Sequence, residues 1–273
     1  MEYTLTNGIL EVTVDSMGGS MTSIKYRGEE RQWQGGKAWA GRDVVIFPIV
    51  GHAGEYEAQG TTYAPKSHGV ARYAEFALCE KGEEKLVLSL SSNDITRATY
   101  PYDFDLYVSY TLSGNSLTVG YFVRSQGGII PFYVGGHPGM KAPGGEAVIE
   151  FENEEDPVLY PIESASAVKL RGLKRFVANK QFFKECKTFQ LGGLSGGKIF
   201  ADTADGYRYA YKSDCPVWAF WSNENEGDYI CVEPWWGIND FPAAPREITL
   251  KPFMNFADSE GKSFSYTLTV EKV

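Results

Sequence analysis

Apolar and polar residues alternate with period two through much of the chain, the spacing of half-buried strands. Residues 106–112 (LYVSYTL) read as one strand, Ser113-Gly114-Asn115 as a turn, and 116–123 (SLTVGYFV) as the returning strand. At the start of the sequence, Asn7-Gly8 separates 3–6 from 9–14. That spacing predicts a second hairpin, with the Asn-Gly pair supplying the positive φ of a type I′ turn. Residues 76–78 and 86–90 flank a turn at 80–83, and 199–200 and 207–211 flank Asp205-Gly206. Residues 217–221, 229–232, 248–250 and 264–270 complete the predicted strands. Turn signals recur at the short spacing of a sandwich or barrel.

Helical periodicity is scarce. Residues 174–188 are the one candidate, without an evident N-cap, and read equally as a helix or as a loop with a strand. No linker, repeat or low-complexity tract divides the sequence. The expectation is one all-β domain over 1–273, a large antiparallel β-sandwich. In such a fold, function falls to the loops and the concave face of a sheet.

Charge narrows the partners. Lys and Arg number 26 against 35 Asp and Glu, a net charge of −9. Phosphate-backbone binding needs clustered cations, so nucleic acid is not an expected partner, nor is an anionic membrane surface. The first residues lack the basic and apolar regions of a signal peptide. The longest charge-free stretch, 125–140, is interrupted by Gly127, Gly128, Pro131 and Gly135 and is too short to span a bilayer. Cys79, Cys186, Cys215 and Cys231 are scattered without a C-x-x-C pair. They read as reduced thiols, which points to a cytoplasmic protein.

Two features could carry chemistry. The three histidines, His52, His68 and His137, each sit beside glycine. Such residues lie at bends, where an imidazole can turn into a cleft, and histidine suits proton transfer near neutral pH. The second feature is Tyr229-Ile230-Cys231-Val232-Glu233-Pro234-Trp235-Trp236. A carboxylate in an apolar strand is costly to bury charged, so Glu233 is expected to be paired or to have a raised pKa. The neighbouring tryptophans offer apolar surfaces against which the C–H faces of a sugar ring can pack.

Four motifs in order make the pattern specific. Lys66-Ser67-His68-Gly69-Val70-Ala71-Arg72 resembles the His-Gly-Phe-Ala-Arg signature of the aldose 1-epimerase (galactose mutarotase-like) family. Gly135-Gly136-His137-Pro138 is similar to its Gly-x-His-Pro, and Cys231-Val232-Glu233-Pro234-Trp235 to its Cys-Ile-Glu-Pro-Trp. Phe47-Pro48-Ile49-Val50-Gly51 is similar to its Leu-Phe-Pro-x-Val-Gly. The likeness is to the bacterial, lactose-operon-associated branch.

The resemblance implies a galactose mutarotase-like supersandwich that interconverts the α and β anomers of an aldose, with no metal and no cofactor. It implies Glu233 as general base, His137 as general acid, and His68 as a catalytic group orienting the sugar. His52, Arg72 and Trp235 are expected to bind the substrate, a small-molecule sugar, and the protein to be a monomer or homodimer. Alternatives are a non-catalytic sugar-binding or sensing protein and a hexose-6-phosphate 1-epimerase. Asp43-Val44 and His52 stand where the branch often has Ala-Pro and Arg. For a further substrate-binding Asp, the sequence offers Asp156, Asp202 and Asp214 with nothing to choose among them. The expected pH behaviour is a bell, its acidic limb from Glu233 and its basic limb from a His137 raised by the carboxylate.

Gly193-Leu194-Ser195-Gly196-Gly197 matches G-x-S-x-G. A nucleophile elbow needs a strand–turn–helix setting, so the expectation is a flexible loop. The acidic run Glu152, Glu154, Glu155, Asp156 is expected to be solvated.

Overall fold

The computed structural model describes residues 1–273 except Ala53 and Ala165. Strands hold 51% of the chain and helix 7%, so the alternation read from the sequence does become an antiparallel all-β fold. Among the described residues, no helix is long and apolar enough to cross a membrane.

Two large sheets dominate. The nine-stranded sheet runs in the order Leu173–Ala178, Ala147–Glu155, Lys198–Thr203, Tyr207–Ser213, Lys262–Lys272, Ser116–Ser125, Phe104–Ser113, Lys85–Ser91, Ala77–Lys81. The second sheet runs Val168–Lys169, Val158–Leu159, Phe189–Gly192, Val217–Trp221, Tyr229–Trp236, Val134–Gly136, Val45–Ile46, with Gly139–Lys141 also paired to Tyr229–Trp236. Between them lies one aromatic-rich core, including Phe47, Tyr100, Phe104, Phe132, Tyr209, Tyr211, Phe220 and Tyr266. A four-stranded sheet formed by the first thirty residues packs Leu5, Leu10, Val12, Val14, Met21 and Ile24 into the same core.

The central hairpin forms as expected, with Phe104–Ser113 paired to Ser116–Ser125 and Leu112 opposite Leu117. The N-terminal hairpin forms with a different turn. Asn7 N–H donates to the Leu10 carbonyl, so Gly8 (φ +82°) and Ile9 are the central residues. Asn7 acts through its side chain instead, its Oδ1 accepting the N–H groups of Ile9 (3.0 Å) and Leu10 (2.9 Å).

Residues 174–188 divide. Leu173–Ala178 is a strand and Lys180–Cys186 a helix. The cap missed in the sequence is Asn179, whose side chain accepts the Phe182 N–H at 2.9 Å. The predicted strand at 248–250 is a 3₁₀ turn: Ile248 is buried, Leu250 is exposed, and Glu247 accepts the Thr249 N–H. The acidic run is also not all solvated. Glu155 is buried and accepts the N–H groups of Ser195 and Gly196, both at 2.6 Å. That ties the G-x-S-x-G segment down as a structural loop. The four cysteines are free thiols.

Candidate active site

Register brings the first two groups together. Val134 and Gly135 pair with Trp236 and Trp235, and Gly139 and Met140 pair with Cys231 and Ile230. One register runs through both ladders and sets His137 opposite Glu233. Side chains directly opposite in an antiparallel pair share a face, and His137 Nε2 lies 3.4 Å from Glu233 Oε2. Period two also sorts the neighbours. Glu233 and Trp235 face the site, while Val232 and Trp236 turn into the inter-sheet core.

His68 arrives by a loop locked to the strand entry. Its N–H donates to the Gly51 carbonyl (2.9 Å), its carbonyl accepts from Phe47 N–H (3.2 Å), and Gly51 N–H donates to its Nδ1 (3.2 Å). His68 itself sits at φ +63°, and Gly69 at φ +78°. A Cβ on Gly69 would stand 2.3 Å from the Phe47 carbonyl oxygen. Gly69→Ala is therefore expected to cost about 2 kcal/mol or more and to displace His68. Urea unfolding measures the cost, and an unchanged midpoint would show that the loop does not need this glycine.

The result is a pocket of about 370 Å³. All six residues singled out in the sequence line it: His52, His68, Arg72, His137, Glu233 and Trp235. Their roles differ in geometry. His52 is exposed at the rim, and Trp235 is only 2% exposed, so it forms a wall more than an open platform. The larger aromatic surfaces come from Trp39 and Trp221, which the sequence reading did not single out. Trp39 stacks on the His137 ring (centroids 4.9 Å, 26°), and Trp221 meets it edge-on at 5.5 Å. Thr188 and Asn239 also line the pocket. A tryptophan in a loop carries no periodic signal, so only packing reveals Trp39.

The three candidate aspartates lie elsewhere. Asp156 holds Arg171 and the Gly172 N–H, Asp202 holds Arg208, and Asp214 lines a separate groove on the nine-stranded sheet. Glu233 is the one carboxylate among the described pocket residues.

Burial sets the electrostatics. Glu233 is 1% exposed, and desolvation holds its pKa well above the usual carboxylate value. The charge of nearby Asp43 pushes the same way, and the Trp235 indole opposes them. That indole N–H faces the carboxylate without completing a hydrogen bond, and among the described residues neither Glu233 oxygen has a hydrogen-bond partner. His137 is depressed to about 3, first by desolvation and then by the Arg72 guanidinium. The expectation that the carboxylate would raise His137 is overturned, because desolvation of the buried ring dominates its environment. His68 is likewise lowered, by burial and then by His137 and Arg72. A neutral His68 whose Nδ1 accepts from Gly51 carries its proton on Nε2 and is a donor.

Burial thus pushes the carboxyl up and the imidazole down, favouring the neutral form of both members of the His137–Glu233 pair. Cys231 lies with them, the three donor atoms within 4.8 Å of one another. Burial holds the Cys231 thiol well above its ordinary pKa.

Residues 1–231 match the family model for aldose 1-epimerase. The match ends two residues before Glu233, whose placement rests on the register above. The LacX protein (chromosomal) of Lactococcus lactis is 29% identical over 98% of this chain and 99% of its own. A galactose mutarotase related enzyme of Lactobacillus acidophilus superimposes with TM-score 0.92 at 27% identity, covering 100% of this chain and 98% of its own. A galactose 1-epimerase of Lactobacillus acidophilus shares the fold, with TM-score 0.72 at 14% identity, covering 99% and 94%. With the family model matched over most of its length, the chain belongs to the aldose 1-epimerase family.

Proposed function

We propose that the protein is an aldose 1-epimerase, opening and reclosing a sugar ring by proton transfer between His137 and Glu233. The observation that carries this is the pair itself, 3.4 Å apart, buried, and walled by three tryptophans. Ring opening takes a proton from the C1 hydroxyl and delivers one to the ring oxygen. Rotation about C1–C2 followed by the reverse transfers gives the other anomer.

A pair that shares one titratable proton has the correct count. With the proton on Glu233 it rests, and with the proton moved to His137 the carboxylate becomes the base and the imidazolium the acid. Both forms have the same net charge, so neither requires a charge to enter the pocket from water. Neutral His68 donates a hydrogen bond to a sugar oxygen. Trp39, Trp221 and Trp235 cover the apolar ring faces and exclude water, which strengthens each polar contact.

Arg72 supports an anionic substrate as a second reading. Its guanidinium lines the pocket and makes no ion pair among the described residues. Charge-assisted bonds to such a guanidinium are a usual means of holding phosphate. NMR exchange spectroscopy on glucose, galactose and glucose 6-phosphate tests both readings. Accelerated anomer exchange of a neutral aldose is the expected result. A preference for the phosphate that Arg72→Ala abolishes would establish the second. No acceleration of any of them would overturn the enzyme.

A further inference from the structure

Behind the pair, on the core side of the same sheet, lies a second buried carboxylate that the acid–base chemistry does not use. Asp43 immediately precedes the Val44-Val45-Ile46 segment, whose Val45 and Ile46 pair with Gly136 and Gly135. That register sets Val44 opposite His137. Val44 packs with Trp235 and Ile46 on the pocket face, so Asp43, one residue back, points into the sandwich.

The surroundings of Asp43 are all neutral or acidic. Its Oδ2 accepts the Met21 N–H at 3.0 Å, and the N–H groups of Val44 and His137 also face the carboxylate. Its Oδ1 is buried without a hydrogen-bond partner among the described residues. From the nine-stranded sheet, Tyr110, Tyr121 and Tyr266 come close enough to feel its charge. Two of these hydroxyls fill the place of the missing Gly136 side chain, where a Cβ would meet Tyr121 Oη at 2.9 Å and Tyr266 Oη at 3.0 Å. From its own sheet, Glu233 and Cys231 feel the same charge. No lysine, arginine or histidine side chain pairs with it among the described residues. A buried, half-satisfied carboxylate without a counter-ion is costly, and its retention calls for a role.

We propose that Asp43 is a positioning residue for the acid–base pair, facing the His137 backbone from behind the sheet and using its charge to keep the shared proton on His137 and Glu233. This rests on the catalytic reading of that pair. Two features support it. The Asp43 carboxylate faces the backbone N–H of His137, so its place bears on where that ring stands. Its charge raises the proton affinity of Glu233 across the sheet, and the low-dielectric core screens that effect little. Asp43 is itself pushed up by burial to about 6, so it is ionised above that pH, where the pair is most at risk of losing its proton.

The sign is fixed. Removing the Asp43 charge lowers the proton affinity of Glu233, so the pair deprotonates at lower pH. For Asp43→Asn, the basic limb of kcat/KM is expected to move to lower pH by about one unit. We expect kcat to fall about tenfold, with KM changed less than twofold. Imidazole ¹⁵N NMR of His137 against pH, which needs no substrate, should show the same displacement between variant and wild type. If Asp43→Asn does not fold, Asp43→Ser, smaller than the native side chain, takes the same measurements. A variant that folds with a wild-type pH profile and wild-type His137 resonances would overturn the proposal and leave Asp43 a structural residue. Absence of turnover in the wild type would overturn the catalytic reading instead, and the His137 titration would still decide for or against Asp43.

Discussion

Glu233→Gln is expected to lower kcat/KM by about 10²–10⁴-fold, the usual contribution of a positioned acid or base. The amide keeps the shape of the carboxyl at a site 1% exposed, so binding should persist while proton transfer fails. The same change should stabilise the protein as pH rises. Glu233 has a folded pKa raised far above its unfolded value. A raised group contributes stability below the unfolded pKa, near 4.5, that is lost as pH increases. Glutamine does not titrate, so the variant should gain on the wild type from about pH 5 upward. Anomer exchange by NMR and thermal unfolding at pH 5 and pH 8 check both halves. A variant with full activity would make Glu233 a strand residue without a catalytic role. An inactive variant that is also less stable at pH 8 would point to misfolding.

The second large effect is acid sensitivity. His137 titrates at about 3 in the fold against about 6.5 in an unfolded chain. A depressed group contributes stability above its unfolded pKa that is lost as pH falls toward the folded value. At 1.36 kcal/mol per unit, His137 should remove about 3 kcal/mol between pH 7.5 and pH 4. Asp43 acts in the opposite sense, because its raised pKa makes it lose stability as pH climbs from 3.8 to about 6. Comparison with His137→Asn isolates the histidine. The stability difference, wild type minus variant, should be about 3 kcal/mol greater at pH 7.5 than at pH 4 by urea unfolding. A constant difference would mean that the imidazole is hydrated and not buried as described.

Some of the site was legible because it is written in local chemistry. Glycine-flanked histidines mark bends, and the His68 bend does take a positive φ that the sequence 68–69 accommodates. A glutamate in an apolar strand marks a perturbed carboxyl, and Glu233 is one. A neighbouring carboxylate suggests a raised His137, but burial sets the direction of its shift. In a site this dry, desolvation is the largest influence on both groups. Asn179 and Asn7 were missed as side-chain caps because each ends a strand or turn that gives no helical periodicity of its own.

The sequence alone determined the fold class, the strand pairs joined by short turns, and the identity of six residues that line one pocket. Those follow from period-two alternation, turn chemistry and motif resemblance, all of which act over a few residues or survive as a pattern. The tertiary structure decided which face each side chain took, how close His137 came to Glu233, and which aromatic rings enclosed them. It also decided the buried position of Asp43 behind the pair. These depend on pairing between strands as distant as Val45–Ile46, Val134–Gly136 and Tyr229–Trp236, whose register is set by the whole core. In a sheet, a shift of one residue turns every side chain to the opposite face, so the chemistry of the site exists only once that core is packed.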